Sequence, residues 1–293
     1  MNAVKINLTI FFLFFLSILP LRIINLMAHL AGYLLYTTSN SLRNITKINL
    51  QICFPYKTEK EIQILTRNSL IESSKSFFES GKCWITYPRI GINKIIEVEG
   101  KELVLNSLEE GNGVILFTPH IGNIEVLINY LAENFNCTIP YTPVKIPSLD
   151  ILVKKARETM GAKMVTASSS GVKALFVSLK KGGLIVIASD QVPREENGLI
   201  SKFFGTQALT VSLVSRLAVR TKSVCHSVCC IRLGKGMGFK IIFSKKIGDM
   251  NVLTIQDGVN LMNRKLEECI MKAPEQYAWE YKRFKHSVFE NPY

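Results

Sequence analysis

From residue 113 onward, short apolar runs of strand length alternate with longer stretches whose apolar residues recur at helical spacing. Residues 113–118 are glycine-bounded, β-branched and apolar, the pattern of a strand buried on both faces. Pro119 ends that run, and Gly122-Asn123 can open a helix whose Ile124, Val126, Leu127, Tyr130 and Leu131 would cover the sheet. Strand patterns recur at 95–100, 137–142, 162–166 and 184–189, with helical ones at 101–109, 148–160 and 172–181. This alternation predicts an α/β fold with a mainly parallel central sheet flanked by helices. Further on, helices are expected at 210–221 and 252–271, around strands at 223–231 and 238–244 that extend the sheet antiparallel. Residues 192–205, rich in Gly, Pro and charge, read as a loop over the sheet's edge.

The amino-terminal pattern is different. Residues 6–21 are uncharged and dominated by Ile, Leu and Phe; Pro20 and Arg22 interrupt them before a second apolar stretch at 23–36. The first run falls slightly short of the ~20 residues that cross a hydrocarbon core, although a snorkelling Arg22 would lengthen it. No small-residue cleavage site follows, so an N-terminal apolar membrane-anchor helix is expected rather than a signal peptide, either spanning the bilayer or dipping into it. The chain then divides into an anchor at 1–36 and one larger domain at 37–293, with no repeat or linker marking a further domain.

Composition adds a partner. The chain is 47% hydrophobic, apolar for a purely soluble enzyme, and 36 Lys and Arg against 23 Asp and Glu leave a net charge of +13 that calls for an anionic partner. Nucleic acid has charge in its favour but no recognition module in the sequence, so anionic lipid is preferred and no nucleic-acid partner is expected. The cysteines are odd in number and scattered, which suits a reducing compartment. Cys225, His226, Cys229 and Cys230 resemble a metal cluster, but on one strand Cys225 and Cys229 would lie ~13 Å apart. Buried thiols and no metal site are the expectation.

The candidate chemistry sits at His120 and Glu125. A histidine just outside the first turn of a helix can swing toward an acid five residues on, and a carboxylate on one imidazole nitrogen leaves the other free as a general base. This is part of a triad in which a substrate hydroxyl serves as nucleophile. Asp190-Gln191 ends the 184–189 strand, so Asp190 should share the carboxyl edge of the sheet with His120, as a site acid or as a local cap. Arg157 and Arg283 stand out among the basic residues because guanidinium grips phosphate or carboxylate bidentately. Phe203 and Phe204 read as core packing or as part of an acyl-chain wall.

These residues together resemble the late acyltransferases of lipid A biosynthesis, the lauroyl and myristoyl transferase family within the lysophospholipid acyltransferase group. The resemblance runs through Asn49-Leu50 with Phe54-Pro55, Glu97-Val98-Glu99-Gly100, His120-Ile-Gly-Asn-Ile-Glu125, and Arg157 with Gly161. It continues through Asp190-Gln191, Phe203-Phe204-Gly205 with Thr210, Pro274 to Tyr277 with Trp279, and Arg283-Phe284-Lys285. It implies a membrane-bound enzyme at the cytoplasmic face of the cell inner membrane. There it would move an acyl chain from an acyl carrier protein thioester, with no cofactor, to a hydroxyl of a phosphorylated lipid A precursor. In this reading His120 and Glu125 are catalytic, and Arg157, Asp190, Gln191 and Arg283 contact substrate or support the site. Pro119, Ile124 and Tyr281 depart from the family's usual Gly, Trp and His, which bears on acyl-chain and acceptor choice. Two other readings stay open: the same chemistry on another envelope glycolipid or aminolipid, and a non-catalytic protein that binds anionic lipid.

Overall fold

Alternating side chains that are apolar on both faces can be buried only if helices cover the sheet twice, and this requirement shapes the fold. The computed structural model describes residues 3–86, 92–248, 250–286 and 291–293, without the side chains of residues 3–10 and 235. Among them, one sheet of seven strands runs β1 (Ile95–Glu99), β9 (Gly238–Phe243), β8 (Val224–Leu233), β2 (Val114–Thr118), β5 (Leu184–Ala188), β3 (Cys137–Tyr141), β4 (Lys163–Thr166). Every neighbouring pair is parallel except β8 with β9. In the central β2, Ile115 and Phe117 face one core, packed with α8 (Ser169–Lys180), α9 (Leu213–Thr221) and α10 (Ile255–Ile270). Val114 and Leu116 face a second core with α5 (Lys101–Glu109) and α6 (Ile124–Asn134). Cys225 and Cys229 belong to the first core and Cys230 to the second, all of them free and buried.

Two expectations from the sequence need correction. Residues 192–205 are not simply a loop, and the helix expected from Thr210 starts only at Leu213. The intervening chain forms an antiparallel hairpin, β6 (Gly198–Phe203) and β7 (Thr206–Val211). Its tight turn uses Phe204 at φ +48° and Gly205 at φ +80°. Gly and Pro density marked the turn but hid the alternation that buries Ser201 and Phe203 and exposes Ile200 and Lys202. Asn263 on α10 holds the hairpin by donating to Ser201 Oγ, the Lys202 carbonyl and Thr210 Oγ1.

The amino-terminal segment also departs from expectation. Among the described residues no helix is long and apolar enough to cross a membrane. Pro20, which lacks a backbone donor, divides the apolar stretch into α1 (Ala3–Ile18) and α2 (Leu21–Thr37), helices of 16 and 17 residues. Residues 1–2 of the expected anchor lie outside the described residues. α2 lays its Ile24, Ala28 and Gly32 stripe on α4 (Glu59–Gly81), so closely that a Cβ at Gly32 would stand 2.5 Å from the Ile71 Cα. The outward face of α1 carries Phe11, Phe14, Phe15 and Ile18, and that of α2 carries Ile23, Leu26, Leu30 and Leu34.

The turn into β2 contains a controlled comparison. Gly111 and Gly113 both have a left-handed backbone, at φ +77° and +75°. A Cβ at Gly111 meets nothing within 4 Å, whereas one at Gly113 would stand 2.5 Å from the Leu179 carbonyl oxygen. Gly111→Ala should therefore cost roughly 1–2 kcal/mol, the left-handed penalty alone. Gly113→Ala should cost at least about 2 kcal/mol more, and urea denaturation of the two variants measures the difference.

Candidate active site

The parallel ladder between β2 and β5 pairs Thr118 with Ala188, and the Ser189 N–H extends it by donating to the Thr118 carbonyl at 3.0 Å. Two residues beyond that register pair stand His120 on one strand and Asp190 on the other. They are joined twice: the His120 backbone N–H donates to Asp190 Oδ2 at 3.0 Å, and Nδ1 lies 2.7 Å from Oδ1. With Nδ1–H as the donor, Nε2 is the nitrogen available for chemistry. Asp190 is almost wholly buried, at 3% side-chain exposure, while the His120 ring keeps 29% and lines a cavity. Burial pushes the imidazole pKa down, but the charge and hydrogen bond of Asp190 outweigh it and His120 lies above the ordinary 6.5. Burial likewise pushes Asp190 up, and His120 overcomes it to hold the carboxyl below its usual range.

The expected His120–Glu125 hydrogen bond is replaced by this one. Asn123 caps α6, its Oδ1 accepting from the Glu125 and Val126 N–H groups at 3.0 and 3.2 Å, and this fixes Glu125 in the first helical turn. From there Glu125 is bound bidentately by Arg157 on α7 (Pro147–Thr159): Nη2–H donates to Oε1 at 2.6 Å and Nε–H to Oε2 at 3.1 Å. Glu125 still acts on His120 through its charge, as a lesser contribution to the raised pKa. Arg157, Gln191 and His120 all line one cavity of about 370 Å³. Its walls are chiefly aliphatic, including Ile124, Leu127, Ile128, Ile139 and Val186.

Arg283 lies elsewhere. It is buried, its guanidinium donating to the Leu209 carbonyl at 2.6 Å and Thr210 Oγ1 at 2.7 Å and lying 4.8 Å from the centre of the Phe203 ring. That ties the carboxyl-terminal segment to the hairpin, and the grip on phosphate or carboxylate expected of Arg283 is not what the structure presents. Phe203 and Phe204 pack with Phe54, Tyr277, Trp279 and Phe284 in the core, and neither lines the cavity.

Sequence reasoning missed the apparatus behind His120. The His120 carbonyl accepts from the Ala278 N–H, the Gly122 N–H donates to the Gln276 carbonyl, and Ser76 Oγ donates to the Gly122 carbonyl. Gly122, at φ +61°, passes so close to β8 that a Cβ there would stand 2.0 Å from the Cys230 carbonyl oxygen. Asn123 Nδ2 donates to Glu79, which also takes Arg232 at 2.6 Å, and Arg232 reaches Glu72 at 2.5 Å. One signal was available. Arg232 is a charge directly after the apolar run Val228-Cys229-Cys230-Ile231, and a charge carried into such a strand must find buried partners.

A strand-end imidazole, oriented by a buried carboxylate and opening on an apolar cavity beside a guanidinium, is equipment for transferring an acyl group to a hydroxyl. The model of the bacterial lipid A biosynthesis acyltransferase family matches residues 2–286, and the chain belongs to that family, an O-acyltransferase of the late-acting type. A Haemophilus influenzae protein named lipid A biosynthesis acyltransferase is 26% identical over 276 residues, covering 93% of this chain and 85% of that protein. The Escherichia coli lipid A biosynthesis lauroyltransferase is 24% identical, covering 81% of this chain and 77% of its own length. The myristoyltransferase of the same organism is 22% identical, with coverage of 84% and 76%.

The His120–Asp190 pair sets the direction of a titration. A folded-state pKa above 6.5 means that the stability gained from the pair is complete below the unfolded value and is lost as pH rises through the folded one. In an NMR titration the His120 ring should show a midpoint above 6.5, moving down in Asp190→Asn. A wild-type midpoint below 6.5 would show that burial outweighs the carboxylate.

Proposed function

We propose that the enzyme transfers a fatty acyl chain from an acyl carrier protein thioester to a hydroxyl of an anionic lipid A precursor, with His120 as general base. The observation that carries this reading is the placement of His120, held by buried Asp190 and opening on the aliphatic cavity. Nε2 takes the proton of the acceptor hydroxyl as its oxygen attacks the thioester carbonyl. The carbon–sulfur bond then breaks, and the leaving thiolate takes the proton back from the imidazolium, so the enzyme ends unchanged and needs no cofactor. Asp190 fixes the tautomer and stabilises the imidazolium. Glu125 keeps Arg157 at the cavity wall, where its remaining N–H groups can meet the carbonyl oxygen or a phosphate. The cavity takes the acyl chain.

The acceptor is a membrane lipid, and the exposed stripes of α1 and α2 suit insertion into one leaflet without a span. Leu26 and Leu30, each 61% exposed, lie one helical turn apart on the same face. Large apolar side chains in such stripes are rarely left to water. The basic surplus of the chain suits an anionic leaflet, which supports a location at the cytoplasmic face of the inner membrane.

His120→Ala should lower transfer to a lipid A precursor by roughly 10²- to 10⁴-fold, read by mass spectrometry of the acylated product; near-normal turnover would end the mechanism. In the wild type kcat/KM should fall as pH drops through the raised His120 value, since only the neutral ring accepts a proton. Asp190→Asn should reduce activity and move this limb to lower pH. For the membrane contact, Leu26→Gln with Leu30→Gln should weaken co-flotation with anionic vesicles at unchanged helix content. Undiminished flotation would exclude the α2 face as the contact.

A further inference from the structure

A second concavity adjoins the catalytic one. It holds about 350 Å³ between α8 and α9, and its wall includes Val172, Lys173, Phe176, Arg216, Leu217 and Arg220. Leu213 lines both cavities. Ala167 borders the catalytic cavity and Ser169, two residues on, borders this groove, so the two meet at the amino-terminal end of α8. An arm laid along the groove would reach the chamber of His120 across Leu213.

The charge of the groove is one-sided. Neither α8 nor α9 contains an Asp or Glu, whereas Lys173 and Lys180 lie on the first and Arg216 and Arg220 on the second, with Lys181 and Lys222 immediately after them. Arg216 and Arg220 stand one turn apart, a like-charge spacing that costs stability on an isolated helix. Among the described residues no carboxylate forms an ion pair with Lys173, Lys180, Arg216 or Arg220; the Arg216 Nε–H donates to the neutral Ser212 Oγ at 2.9 Å. Between the cations lies an apolar floor of Val172, Phe176 and Leu217. A single phosphate would need neither the spread of charge over two helices nor the floor. An acidic amphipathic protein surface uses both, with carboxylates on the rim and an apolar ridge in the middle.

The geometry points to the α8–α9 groove as the docking surface for the acidic face of an acyl carrier protein, whose thioester arm enters the catalytic cavity past Leu213. This rests on the donor reading given above and adds where the donor binds. Binding there is electrostatic at the rim, so it acts on encounter with the carrier and leaves the chemistry at His120 untouched.

The test compares the wild type with Arg216→Glu/Arg220→Glu on two donors, an acyl carrier protein thioester and the corresponding acyl-pantetheine thioester, which lacks the protein. With the carrier donor the variant's KM should rise about tenfold or more at unchanged kcat, and added salt should raise the wild-type KM and narrow the gap. Turnover of acyl-pantetheine should be the same in both, which also reports that the variant is folded. Equal carrier KM values in variant and wild type would overturn the docking surface while leaving the donor reading intact. A wild type that uses acyl-pantetheine but not the carrier thioester would overturn the donor reading and the surface with it. Lost binding to anionic vesicles at unchanged carrier KM would assign the groove to the membrane and overturn the proposal.

Discussion

The parallel register between β2 and β5 is the constraint on which the site depends. Pairing Thr118 with Ala188 sets His120 and Asp190 side by side, each two residues past the last ladder position. A slip by one residue would turn β5 over, sending Ile185 and Ile187 to the core that now receives Leu184 and Val186 and replacing Asp190 by a neighbour. Burial on both faces forbids that slip, because α8 and α10 are packed for one set of side chains and α5 and α6 for the other. The hydrophobic effect therefore fixes the position of a polar pair that contributes nothing to it.

Carboxylates taken out of water are costly unless each is bound, and the fold supplies three such arrangements behind the His120 loop. Asp190 takes two hydrogen bonds from His120, Glu125 a guanidinium fork from Arg157, and Glu79 and Glu72 share Arg232. Buried ion pairs of this kind give little net stability over apolar packing. What they give here is position. Arg232 links α4 to β8, Glu79 passes the constraint to Asn123, Asn123 caps α6, and the cap fixes Glu125 against Arg157. The backbone of the His120 loop is held from behind by residues 276–278 and by Gly122 against Cys230. A ring so enclosed has few orientations left, which is the preorganisation that the proposed general-base role needs.

Much of this was legible in the sequence. The glycine-bounded apolar run at 113–118, the helix cap at Asn123 and the βα alternation follow from local chemistry, and they place His120 and Asp190 on one edge. Their direct contact was not legible, because strand order and register depend on residues far apart in sequence. Glu125 shows the same limit from the other side: five residues from His120 it is a neighbour in the chain, yet Arg157, thirty-two residues away, has the stronger geometric claim on it. Arg283 was expected, from its residue type, to grip phosphate or carboxylate, but an arginine lying over Phe203 and bonded to the hairpin is core structure. The hairpin was concealed by the Gly, Pro and charge around its turn.

In the proposed mechanism, Asp190 also sets how strong a base His120 can be. Holding the imidazole's pKa above its ordinary value means that a larger share of the ring is protonated, and inactive as a base, near neutrality. The same shift makes the neutral ring a better proton acceptor, and an aliphatic hydroxyl is a reluctant donor, so accepting strength is the scarcer property. Burial alone would have moved the ring the other way and left a weak base in an apolar pocket. A carboxylate beneath the ring, outside the cavity lining, resolves the conflict: it stabilises the imidazolium without placing a negative charge on the side where the proposed mechanism seats the acyl chain. The cavity can then stay aliphatic along Ile124, Leu127, Ile139 and Val186 while the carboxylate that tunes His120 lies one layer below it. Under the proposed mechanism, this division lets one chamber be dry enough for an acyl chain and polar enough at His120 for the proton transfer.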